Sequence, residues 1–232
     1  MWPVPTTPES ALRLRGARVA VADHGLLRRD FPGLPAGPAE LDRWLTAHGA
    51  VISRAQAGQA VTNTPIETAP GEVTALRPAG SGRALLLPLG DGGTAAGFLD
   101  VKGAGVAPGV VPSLLTHRNG LLPLAEALRE FLVQRLLDAV FAHAEAPYRT
   151  VPCYAVLALD FDVKDADGGR APAGLLLRQA HTRPRRRFGL KEFGSAEAAA
   201  ELAVERLLRR YGVTSAGRLT TLTVERRGEA IS

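Results

Sequence analysis

The stretch from residue 98 to residue 137 limits what this chain can fold into more than any other. It opens as a strand-like run ending in Lys102, breaks at Gly103-Ala104-Gly105, and resumes as a long apolar helix carrying Glu126 and Glu130. A period of two along the first run puts Phe98, Asp100 and Lys102 on one face, with Leu99 and Val101 on the other. One face then belongs to a core and the other is open to a ligand. A lysine at a strand end is a compact positive charge that can meet phosphate oxygens, and a helical glutamate can hold its long side chain in place. Residue types alone leave Glu126 and Glu130 as equal candidates for that partner.

The flanking sequence supplies a sheet for this strand. Residues 83–89 form a β-like run, and the Gly90-Asp91-Gly92-Gly93 tetrapeptide between it and the next run predicts a hairpin. Residues 150–163 and 173–181 form two more strand-like runs joined by turn chemistry at 164–170. In that turn Asp165, Asp167 and Gly168 resemble part of a calcium loop without its downstream glutamate, so no metal site is expected. Pro123 opens the long helix, expected to reach about Ala142, and apolar residues on two of its sides predict cover on both. A shorter helix is expected over residues 38–48, with Gly49 as its left-handed stop. His117, Arg118 and Asn119 sit in the long connection before the main helix, where either a polar turn or ligand contacts would suit them.

Composition narrows the function classes. With 46% apolar residues the chain can bury a real core, and 25 glycines with 17 prolines favour many turns in a mixed α and β fold. The formal charge of +5 suits anionic partners, and Lys102, Lys164 and Lys191 are the only lysines among 28 basic residues. One cysteine, Cys153, excludes an internal disulfide and points to a cytoplasmic protein. No signal peptide or membrane-spanning run is read from the sequence. Arg183, Arg185, Arg186 and Arg187 admit a nucleic-acid reading, since clustered arginines neutralise backbone phosphates, but no aromatic platform accompanies them.

Four motifs occur in order: Gly82-Arg83-Ala84-Leu85-Leu86-Leu87; Leu99 to Gly105 around Lys102; Leu128-Arg129-Glu130-Phe131-Leu132; and Pro172 to Arg178 followed by Arg187-Phe188-Gly189. Together they resemble the N-terminal lobe of the selenoprotein O family, kinase-fold proteins that transfer AMP from ATP to protein hydroxyls. The resemblance implies an α+β fold, a protein-kinase-like N-lobe in which an antiparallel sheet carries a packed long helix. It implies ATP as cofactor, with Lys102, Gly103 and Gly105 at the phosphates, Glu130 as the lysine's partner, and Arg178 and Arg187 as further phosphate contacts. Glu126 becomes secondary. The implied division is an irregular N-terminal wrapping segment over 1–80, the nucleotide-binding lobe over 81–194, and a helix and strand over 195–232 that begin an incomplete second lobe.

The sequence also departs from the family. The loop after Gly105 lacks the Thr-Pro-Tyr-Ser-Arg segment and the Asp-Gly-Arg of the family. Kinase-fold catalysis needs an aspartate with an asparagine a few residues on and a second, metal-holding aspartate, and neither follows Arg187. The expected function is therefore an ATP-binding lobe for AMP or phosphoryl transfer to a protein or peptide. Magnesium and catalysis would come with a missing C-terminal lobe, which a second chain could supply. The alternatives are a non-catalytic, pseudokinase-like module binding nucleotide or protein, and an arginine-mediated nucleic-acid binder.

Overall fold

The computed structural model describes residues 6–57, 65–78, 82–89, 97–111, 119–145, 149–164 and 169–181. All of them belong to a compact unit spanning Met1–Arg183, which is followed by a second unit, Pro184–Ser232. The expected segments at 195–211 and 218–225, the arginine cluster, the turns at 90–93 and 165–168, and His117 and Arg118 lie outside the described residues.

The described residues form an α+β fold built on one antiparallel sheet of eight strands. In chain order these are β1 (Thr6–Leu14), β2 (Arg18–Ala22), β3 (Val51–Ser53), β4 (Thr68–Pro78), β5 (Ala84–Pro88), β6 (Phe98–Lys102), β7 (Cys153–Lys164) and β8 (Arg170–Gln179). Across the sheet they run β2-β7-β8-β6-β5-β4-β1-β3. The helices are α1 (His24–Asp30), α2 (Pro38–Gly49), the single-turn α3 (Arg54–Ala57) and the long α4 (Leu124–His143).

Alternation along the strands builds two cores. Leu85 and Leu87 of β5, Leu99 and Val101 of β6, and Leu175 and Leu177 of β8 enter the larger one, together with Leu27 of α1 and Leu41 and Leu45 of α2. On the opposite face Val156 and Leu176 meet Ala127 and Phe131 of α4 in a smaller core. Both predicted hairpins are present. Ala84 pairs with Lys102 and Pro88 with Phe98 in the first, and Leu157 pairs with Leu175 in the second.

Three expectations are corrected. Residues 1–80 are not an irregular wrapping segment: they supply β1 to β4 and three helices, and β1 pairs with β4 along nearly its whole length. Prolines at 8 and 78 and a largely polar β4 hide these strands from a periodicity reading, since the partners lie far apart in sequence. Gly49 is not a left-handed stop but the last residue of α2, and a Cβ there would lie 2.2 Å from the Leu177 side chain. The absent side chain lets α2 settle on β8. The outer side of α4 has no cover among the described residues, and Leu132, Val133, Leu136, Leu137 and Val140 are 41–63% exposed. A sheet can bury only one stripe of a helix, here Ala127, Phe131 and Gln134.

A buried ion pair ties the N-terminal half to the rest. Arg77 of β4 donates from two nitrogens to the two carboxylate oxygens of Glu9 on β1, the NH2 to Oε1 distance being 2.8 Å, and its NH2 also donates to the Val106 carbonyl at 3.0 Å. Both side chains are almost completely enclosed. Arg77→Ala strands a buried carboxylate and should cost about 3–5 kcal/mol in urea unfolding. The paired Glu9→Gln, Arg77→Met variant should recover part of that loss. A cost for Arg77→Ala below about 1 kcal/mol, the range of exposed pairs, would rule out a stabilising role for the bridge.

Candidate functional site

The charged side of β6 faces α4. Opposite pairs across the strands set Cys153, Arg178, Asp100 and Leu86 in one cross-sheet row, and Val156, Leu176, Lys102 and Ala84 in the next. Lys102 and Arg178 are thus diagonal neighbours on one face. The start of α4 is pressed onto β8 at Gly174, whose N–H donates to the Leu122 carbonyl at 2.8 Å and where a Cβ would lie 3.0 Å from Leu124 Cα. That contact sets the height at which the helix crosses the charged rows.

The two glutamates of α4 take different partners. Lys102 Nζ donates to Glu130 Oε1, with both side chains partly enclosed. Arg83, just before β5, donates from NH2 to Glu126 Oε1 at 2.9 Å and from NH1 to the Leu121 carbonyl at 2.9 Å. The geometry therefore separates what residue types left equal: Glu130 belongs to the lysine and Glu126 to an arginine. Glu126 and Glu130 are one helical turn apart, matching cations at neighbouring positions of β5 and β6.

Arg178 lies 3.4 Å from Asp100 Oδ1, an ion pair between adjacent strands, and His181 Nδ1 lies 3.5 Å from Asp100 Oδ2. Asp100 has no exposed surface, and the Arg178 guanidinium beside it offsets part of the cost of burying its carboxylate. Burial lowers the ammonium pKa of Lys102, the hydrogen bond and charge of Glu130 work against that, and the Arg83 and Arg178 guanidinium groups reinforce it. Cys153, in the same row as Arg178, is pushed up to about 11 by burial, so its thiol stays protonated and unreactive at neutral pH. Glu130, Val133, Leu137, Val151, Cys153 and Arg178 are among the residues lining a cavity of about 320 Å³ beside this row.

The glycines sit differently from what was expected. Gly103 and Gly105 have φ of +96° and +101°, the left-handed region glycine occupies freely. A Cβ at Gly103 would lie 2.7 Å from Leu122 Cβ, and one at Gly105 would lie 2.5 Å from Gln56 Cβ. Their amides are engaged: Gly103 donates to the Arg83 carbonyl at 2.7 Å, Gly105 to the Gly120 carbonyl at 2.9 Å, and Val106 to Gln56 Oε1 at 3.0 Å. The turn is a packed corner, and these N–H groups have no free direction toward a phosphate. Asn119, also expected near the site, caps this corner by accepting from the Leu121 N–H at 3.0 Å.

Of the expected site residues the fold brings together Lys102, Glu130 and Arg178, keeps Gly103 and Gly105 in the adjoining corner, and leaves Arg187 outside the described residues. Sequence reasoning missed Arg83 and the buried role of Asp100. Asp100 shares a strand face with Lys102 by period two, and a charge at such a position signals a buried pair. Among the described residues no three His, Cys, Asp or Glu side chains converge to hold a metal, and no helix is long and apolar enough to cross a membrane.

The linkage of Lys102 gives a test. Its pKa in the folded chain is below 10.5, so between the two values the unfolded chain binds more protons and stability rises with pH. Stability falls as pH drops through the folded value. Glu130→Gln removes an interaction that holds the proton, which moves the folded value down and widens this window. Competitive acylation read by mass spectrometry at about pH 8 should show Lys102 reacting several-fold faster in the variant, with Lys164 unchanged. Equal rates would mean that Glu130 does not govern the lysine's charge.

The chain matches no protein-family model, and no curated protein matches it at a significant level.

Proposed function

We propose that this chain is the ATP-binding lobe of a selenoprotein O-like protein that transfers AMP, or phosphate, to protein or peptide hydroxyls. The observation that carries this reading is the Lys102–Glu130 pair between β6 and α4, with Arg178 on the adjoining strand. An ammonium has three N–H donors, and the bond to Glu130 uses one, so Lys102 can keep its partner and still meet phosphate oxygens. Arg178 contributes a planar guanidinium, which suits bidentate contact with phosphate. Glu130 positions the lysine and touches no phosphate itself. When bound, ATP supplies the reactive phosphoanhydride, and the residues described here hold and orient it. Metal-holding and base residues belong to a second lobe, carried further along a chain or by a separate one.

A second reading is a non-catalytic, pseudokinase-like binding module. The engaged amides of Gly103, Gly105 and Val106 favour it, because a nucleotide would be held by side chains alone, without a backbone cradle.

Both readings, the second in its nucleotide-binding form, require nucleotide at Lys102. ATP without added magnesium should raise the melting temperature of the wild type, and Lys102→Ala should weaken binding at least tenfold, about 1.4 kcal/mol. Arg178→Ala should weaken it too. With magnesium and a lysate able to supply the second lobe, incorporation of label from α-labelled or γ-labelled ATP that is lost in Lys102→Ala supports the transferase, and incorporation unchanged by that exchange supports the module. Equal melting shifts in wild type and Lys102→Ala would sink both.

A further inference from the structure

A second cavity, of about 690 Å³, opens away from Lys102 between α1, the C-terminal half of α4 and the segment 149–152. Three arginines line it from three separate pieces of chain: Arg29 from α1, Arg135 from α4 and Arg149 from the segment before β7. We infer that this cavity is an anion site for a phosphorylated small molecule, with a diphosphate or similar pair of linked anionic groups held by Arg29, Arg135 and Arg149.

The acidic and basic groups around the cavity are used unequally by the fold. Its two lining carboxylates are occupied by donors of the fold. Asp138 Oδ1 accepts from the Thr150 N–H at 3.0 Å and its hydroxyl at 2.6 Å, while Oδ2 accepts from Gln134 Nε2. Asp30 accepts from Arg29 Nε at 2.8 Å and from the Tyr154 hydroxyl at 3.0 Å. Among the described residues the arginines are only partly used. Arg29 gives Nε to Asp30 and keeps its terminal NH2 groups. Arg135 gives NH1 to Asp23 at 2.7 Å, and Asp23 also caps α1 by accepting from the Leu26 N–H. Arg149 is exposed at the cavity edge.

The ion pairs therefore orient Arg29 and Arg135 without exhausting their donors. A guanidinium carries five N–H groups in a planar fork, which matches phosphate oxygens and is always charged. Leu26, Ala139 and Pro152 supply small apolar wall between the arginines. The volume lies in the range of small-molecule sites and leaves room for a compact body attached to the anionic groups. Because the site lies on different residues from Lys102 and Arg178, it stands or falls independently of the ATP reading.

The test uses the full chain with inorganic pyrophosphate as probe, followed by calorimetry and thermal melting at about 0.15 M salt. In the Lys102→Ala background, which disables the proposed nucleotide phosphate contacts, pyrophosphate should raise the melting temperature, bind at least tenfold more weakly once Arg149→Ala is added, and give no shift once Arg29→Ala and Arg149→Ala are both added. Arg149→Lys, which keeps the charge and loses the fork, should fall between that background and its Arg149→Ala form. Circular dichroism identifies any variant that fails to fold, and the exposed Arg149→Lys exchange then carries the comparison. A shift retained once both arginines are replaced, a shift matched by sodium sulfate at equal ionic strength, or no shift in the Lys102→Ala background would overturn the proposal.

Discussion

A carboxylate with no exposed surface, Asp100, sits in an interior strand of the sheet, and much of the architecture around α4 follows from making it tolerable. Removing such a charge from water costs several kcal/mol unless cations stand close by. Arg178 of β8 provides one, and the His181 ring just after β8 lies 3.5 Å from the same carboxylate. The β6–β8 register is thereby specified twice, by apolar residues on one face and by charges on the other. A slip of one residue would send Asp100 and Arg178 into the core under α1 and α2, where no partner waits.

The same layer decides how α4 lies. Its buried stripe is short and its outer side is apolar and bare among the described residues, so burial alone does not choose one rotation of the helix strongly. The pairs Arg83–Glu126 and Lys102–Glu130 do choose it, because both are satisfied only at one rotation and one height. The seating of α4 and the charge of Lys102 thus depend on each other. Whatever draws the ammonium away from Glu130 also loosens one of the two bonds that orient the helix, which is coupling in the thermodynamic sense.

How much of this could be read beforehand follows from the range of each interaction. The β5–β6 and β7–β8 hairpins, α2 and α4 were legible because their signals are local: alternation, turn residues, and an opening proline. The strands of residues 6–78 were not, because β1 and β4 are held to each other by pairings such as Glu9 with Arg77, across 68 positions of sequence. Gly103 and Gly105 were legible as a break in the strand, while a place at the phosphates came only from the resemblance, and in the fold their amides are engaged in a packed corner. Positive φ is common to an anion-binding loop and a packed corner, and only what lies opposite, here Leu122 and Gln56, tells them apart. Residue types left Glu126 and Glu130 equal and the resemblance preferred Glu130; in the fold Glu130 meets Lys102 because Arg83 takes Glu126, a third residue that pattern reading had no reason to weigh.

One helix serves both charged regions of this fold. Glu126 and Glu130 reach the cations of β5 and β6, while Arg135 and Asp138, further along α4, face α1 and the segment before β7. Between them lies Gln134, buried, donating to both Asp138 and Thr150. Both sets of polar contacts are made by the one helix, so a shift of α4 along its axis strains them together. Partly enclosed ion pairs resist such a shift less firmly than close packing does, and their strength varies with salt and bound anions. The helix is thus held in place by the kind of interaction that a charged ligand at either end can most readily alter.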